Sequence, residues 1–130
     1  MKKNLKDLLE HEIKDLYSAE TQLIEALPKM AKAASHDRLR RAFESHLEET
    51  KQQKQRLEDI ARKLDIKPGG ETCEAMQGLI REGEQMIDMD ADDDVRDAGL
   101  IGAAQRVEHY EIAAYGTARQ YAERLGKNDI

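Results

Sequence analysis

The sequence predicts an all-α protein, and three observations carry that prediction. Charged residues make up 37% of the 130 residues and aromatic residues 4%, with no Trp, one Phe and two Pro. This composition suits long amphipathic helices better than a sandwich or barrel. Apolar residues recur at spacings of three and four along most of the chain, the period of a helix with one buried face. The interruptions are short and of helix-ending type: "ASHD", "DIKPGG" and "DMDADDD". The length suffices for one domain with a modest core and is too short for two, so residues 1–130 read as a single helical domain.

The first helix is marked by Leu5, Leu8, Leu9, Ile13, Leu16, Leu23, Ile24, Leu27, Met30, Ala31 and Ala34. Pro28 falls inside it, where the lost donor and the clash with the preceding turn predict a kink near Ile24 rather than a stop. "ASHD" offers Ser35 or Asp37 as N-cap of a second helix, whose inward side is Leu39, Ala42, Phe43, Leu57, Ile60, Ala61 and Leu64. After Pro-Gly-Gly, Thr72 can cap a shorter third helix with Met76, Leu79, Ile80, Met86 and Ile87 inward. "DMDADDD" lacks the Gly and the final Glu of a calcium-binding EF-hand loop and reads as a solvated loop feeding acidic charge to a helix N-terminus. The fourth helix is expected from about Val95 to Arg124, with Ala98, Ile101, Ala104, Ala114, Tyr115, Ala118, Ala122 and Leu125 inward and Gly126 just past its end.

Charge and composition remove several function classes. A formal net charge of −6 argues against broad attraction to nucleic acid or anionic lipid. No apolar run approaches the roughly 18 residues that span a bilayer, and the N-terminus has no signal-type apolar region. A cytoplasmic location is expected. Cys73 is the only cysteine, which rules out an intrachain disulfide and a Cys-based zinc site within one chain. It reads as a small buried thiol.

Acids interrupt the apolar stripes. Between Leu16 and Leu23 the stripe passes through Glu20; Phe43 and Leu57 bracket His46, Glu49 and Gln53; and Ala104 and Ala114 bracket Glu108 and Glu111. Glu82 lies similarly on the third helix, although Gly83 competes for the inward position. These positions fall near mid-helix, so in a bundle they would meet at one depth. Carboxylates gathered in a low-dielectric core repel one another and cost kcal/mol each unless cations neutralise them. No Lys or Arg sits in the inferred seam at that level. Two divalent ions supply about the right charge.

The segments "LYSAETQLIEALPKMAKAA", "AFESHLEETKQQKQRLE", "CEAMQGLIREG" and "RDAGLIGAAQRVEHYEIAAYGTARQYAERLG" resemble the stress-associated YciE/YciF-type family of the ferritin-like superfamily. "EHYEIAAYGTARQYAERLG" is also similar to the third bundle helix of rubrerythrins, where an E-x-x-E pair serves a di-iron site. The resemblance covers nearly the whole chain. It implies a ferritin-like antiparallel bundle, with Glu20 as first-helix ligand, Glu49 as second-helix ligand and Glu108 and Glu111 as the pair. Gln52 stands where such proteins usually carry the E-x-x-H histidine, and His46, three residues before Glu49, is the candidate nitrogen ligand instead. Relatives of this type continue into a further acidic helix that this chain lacks. Under that mapping the third helix is a crossover and the last bundle helix is missing or supplied by a partner chain. The alternative is pseudo-symmetric, because Glu20, His46 and Glu49 recur at one offset as Glu82, Glu108 and Glu111.

Ligation rich in carboxylate, with little His and no Cys, suits iron first and manganese next, with zinc a common impostor. The resemblance implies stress-linked oxygen, peroxide or metal handling by a dinuclear centre, with oxidoreductase or peroxidase-like activity as its enzymatic form. Tyr17 and Tyr115, one turn from Glu20 and Glu111, are expected to pack with satisfied hydroxyls. Two rival readings are a metal-free helical scaffold or interaction module and an iron-storage cage. A homodimer is expected from the apolar faces that an absent last helix would leave open.

Overall fold

The computed structural model describes residues 2–130, which form α1 (Leu5–Ala33), α2 (Asp37–Leu64), α3 (Glu74–Asp88) and α4 (Asp93–Arg124). Asn4 caps α1 in a reciprocal box with Asp7: each side chain accepts the other's backbone N–H at 2.9 Å. The helix continues through Pro28, which lies on the exposed face, where the carbonyl of Ile24 can turn to water.

Two N-caps fall one residue from their expected places. His36, not Ser35 or Asp37, caps α2, with Nδ1 accepting from Arg38 N–H at 3.2 Å. The turn is fixed from outside: buried Asp97 of α4 accepts the backbone N–H groups of Ser35 at 2.9 Å and His36 at 3.0 Å. Cys73, not Thr72, caps α3, its sulfur accepting from Met76 N–H at 3.4 Å. The thiol is fully buried, as expected of a small apolar side chain. At the other end of α4, Gly126 takes the left-handed conformation (φ 75°) expected just past a helix terminus.

Helix α1 is the hub, packing against α2, α3 and α4, while α3 also packs on α4. A three-residue turn makes α2 antiparallel to α1. Asp97 meets the start of α2, His46 meets Glu111, and Lys63 reaches Asp129, so α4 runs parallel to α2. Between α2 and α4 there is no comparable packing, and an open groove remains. Helix α3 runs along the upper half of α1 only: its N-cap Cys73 bonds Ser18 and Gln22, and Gly83 lies by Met30.

The core has two apolar clusters, one around Leu23, Leu27, Phe43, Met76 and Leu100, the other around Leu9, Ile13, Leu16, Leu57 and Ala118. Each Leu or Ile buried there contributes about 1.5–3 kcal/mol relative to exposure. Glu20 and Thr50, both fully buried, lie outside both apolar clusters. The upper half of α4 is turned one position from expectation. Leu100, Ala103 and Val107 face inward, whereas Ala98 and Ile101 are exposed on the groove side.

Candidate metal centre

The candidate ligands separate into an inner and an outer set. Glu20 is completely buried on α1 and Glu111 nearly so on α4. Half-buried His46 of α2 donates from Nε2 to Glu111 Oε1 at 3.2 Å, and the Tyr115 hydroxyl donates to Glu20 Oε2 at 3.2 Å. Each carboxylate therefore has one oxygen engaged. The other two, Glu20 Oε1 and Glu111 Oε2, are buried with no hydrogen-bond partner. Orphaned buried acceptors of this kind are uncommon and costly.

Burial, followed by the neighbouring Glu111 carboxyl, raises the Glu20 pKa to about 9, against a partly opposing hydrogen bond from Tyr115. Glu20 therefore holds a proton at neutral pH. The bond to Glu111 raises the His46 pKa, in opposition to burial, which lowers it. Hydrogen bonds thus tie His46 to Glu111 and Tyr115 to Glu20 in the buried cluster.

Glu49 and Glu108 are exposed, yet both line the α2–α4 groove with His46, Gln53, Arg56, Glu111, Ile112 and Tyr115, around a cavity of about 460 Å³. They stand at its mouth, outside the buried pair. Thr50 takes the buried α2 position beside Glu49, its hydroxyl donating to the His46 carbonyl at 2.7 Å. Glu82 is apart from all of these, exposed on α3, while Gly83 takes the inward position toward Met30 and Ala103. Helix α3 packs on α1 and α4, so Glu82 lies apart from Glu108 and Glu111. Among the described residues, no three His, Cys, Asp or Glu side chains converge as a ready-made metal cage.

A second polar cluster escaped the sequence reading. On the far side of α4, the Tyr110 hydroxyl donates to Asp15 at 2.5 Å and meets Cys73 Sγ at 3.0 Å. Burial and then the Asp15 carboxylate raise the Tyr110 pKa well above the usual phenol range. Asp15 and Tyr110 are 95 positions apart, so no local pattern joins them.

A helical bundle with buried carboxylates on facing helices defines the class. A profile of the DUF892 family, described as a domain of unknown function, matches residues 4–130, and the chain belongs to that family. It is 46% identical over 125 residues to protein YciF of Escherichia coli K12, an alignment covering 95% of this chain and 75% of that protein. The crystal structure of the E. coli stress protein YciF superposes with a TM-score of 0.94 at 45% identity, covering 98% of this chain and 81% of the other. The solved structure of YcfI from Rhodopseudomonas palustris gives 0.93 at 46% identity with the same coverage. The chain is thus a homologue of a bacterial stress protein. Among the described residues, no helix is long and apolar enough to cross a membrane.

Proposed function

We propose that this protein binds two divalent metal ions, iron first and manganese next, and uses them in stress-linked oxygen, peroxide or metal handling. One observation carries the reading: two buried carboxyl groups face each other with one oxygen of each unpartnered, and no Lys or Arg neutralises them. Glu20, Glu111 and His46, with Glu49 and Glu108 at the groove mouth, would hold the ions. The donor set is four carboxylates and one imidazole, hard ligands that suit Fe and Mn. Bound there, a redox-active pair supplies electron exchange with O2 or peroxide. The protein's own residues hold the carboxylates apart from water and orient Glu20 through Tyr115.

The dimer belongs to the same reading. Ile101 and Ile112 are 45% and 69% exposed on the groove side of α4, and a second copy would cover them. The scaffold reading has its own support, since no tight cage is preformed and the relative YcfI is described, provisionally, as a structural protein.

Titration of the metal-free protein with Mn(II) and anaerobic Fe(II), read by calorimetry and melting temperature, decides between them. Two equivalents of bound ion and a raised melting temperature, both abolished in Glu111→Gln, are expected. Binding no stronger than to exposed surface acids would leave the scaffold.

A further inference from the structure

We propose that Asp15, Tyr110 and Cys73 form a radical-quenching site: a small neutral one-electron oxidant, of the class of nitrogen dioxide, enters the cavity between α1 and α4, is reduced at Tyr110, and leaves the unpaired electron on Cys73. The site lies across α4 from the candidate metal centre and does not depend on metal being bound.

A directional chain of hydrogen bonds carries the inference. The Tyr110 hydroxyl has one hydrogen, and it goes to Asp15 Oδ2 at 2.5 Å. At the 3.0 Å contact between Cys73 Sγ and the same hydroxyl, the thiol is therefore the donor, while its sulfur accepts from the Met76 N–H. The order is thiol to phenol, then phenol to carboxylate. A phenol that loses an electron becomes a strong acid, so its oxidation is easy only where a base stands ready to take the proton. Asp15 is that base. The other phenol–carboxylate contacts are longer, Tyr17 to Glu58 at 3.4 Å and Tyr115 to Glu20 at 3.2 Å.

Burial decides which oxidants can use the chain of bonds. Cys73 is completely enclosed, and hydroperoxides need an accessible thiolate, so a two-electron oxidant does not reach it. Tyr110 and Asp15 are half-buried and line a cavity of about 370 Å³ that opens to solvent. Glu12 and Asp15 make that lining acidic, which favours a neutral radical over an anionic one. In the first step the radical gains one electron and leaves as an anion, nitrite in the case of nitrogen dioxide, while the phenol proton passes to Asp15. In the second, the thiol hydrogen atom moves to the phenoxyl oxygen, which restores Tyr110 and leaves a thiyl on Cys73. Asp15 then returns its proton to cavity water, so each chain quenches one radical.

The test exposes the whole chain, in chelator, to nitrogen dioxide generated by pulse radiolysis of nitrite, with products located by peptide mass spectrometry. A persisting phenoxyl captures a second nitrogen dioxide to give 3-nitrotyrosine, so nitration reports how long the radical stays at each tyrosine. Wild type should carry little nitration at Tyr110 and, with a nitroso spin trap present, an adduct at Cys73. Cys73→Ser keeps a good helix N-cap but has no oxidisable thiol, and should make Tyr110 the most nitrated of the four tyrosines, with Tyr121 unchanged. Adding Asp15→Asn, which keeps an acceptor oxygen and loses the base, should lower that nitration about a hundredfold, the low end of what a general base contributes. Equal nitration of Tyr110 in wild type and Cys73→Ser, or unchanged nitration when Asp15→Asn is added, overturns the inference.

Discussion

Glu20→Gln keeps the shape of a fully buried side chain and removes its proton equilibrium, which makes its effect on the metal-free protein calculable. The folded pKa is about 9 against an ordinary value of 4.5. Between those values the native state holds a proton that the unfolded chain releases. Stability is thus fully present below pH 4.5 and declines as pH rises toward 9, at about 1.4 kcal/mol per unit for a single group. By pH 7 the accumulated loss is about 3 kcal/mol, a large share of the roughly 5–15 kcal/mol that holds a domain together. His46 acts in the same direction, because its raised pKa gives stability at low pH that disappears as pH climbs through the folded value. The amide in place of Glu20 can still accept from Tyr115, and its NH2 can donate to the orphaned oxygen of Glu111. Urea unfolding in chelator at pH 5, 6, 7 and 8 should therefore show wild type losing stability with rising pH. Glu20→Gln should be more stable than wild type by about 3 kcal/mol at pH 7, with only the shallower slope of His46 remaining. A flat wild-type profile, or a variant less stable than wild type at pH 8, would refute the account of a strained acid pair.

Other perturbations test the remaining architecture. Asp97→Ala removes both acceptors from the Ser35 and His36 N–H groups and should cost about 2 kcal/mol in urea unfolding, with no change in Mn(II) stoichiometry. Tyr110→Phe leaves half-buried Asp15 and buried Cys73 without their shared partner. It should cost about 1–2 kcal/mol and speed labelling of Cys73 by a thiol reagent, a readout of local opening. Ile112→Lys places a charge on the exposed groove face and should convert a dimer to a monomer in sedimentation at micromolar concentration; a monomeric wild type would end that proposal.

The helices were legible because their signals are local. Stripes of Leu and Ile, the Pro-Gly-Gly break and the Gly126 terminus need only nearest neighbours to be interpreted, and α1 to α4 fall within about two residues of expectation. Rotation about a helix axis is different when two faces are apolar. In α4, Ala98 and Ile101 look as core-like as Leu100 and Ala103, so composition alone does not say which face meets α1. That rotation puts Glu108 at the mouth and Glu111 inside. On α3, Gly83 takes the inward position toward Met30 and Ala103, which leaves the neighbouring Glu82 turned outward. Caps at His36 and Cys73 were out of reach because their geometry is imposed by Asp97 and by Ser18 and Gln22, partners distant in sequence.

The short third helix is anchored where it begins. Ser18, Gln22 and Tyr110 grip Cys73 from α1 and α4, and Glu71 just ahead of it meets His11 at 2.8 Å. Chain length between Lys67 and Gly70 is thereby uncoupled from the position of everything downstream. Extra residues spliced there would loop into water, at a closure cost of only about 0.6 kcal/mol for each doubling of the connection. That makes the Pro-Gly-Gly segment a natural port for a peptide tag or fluorescent reporter.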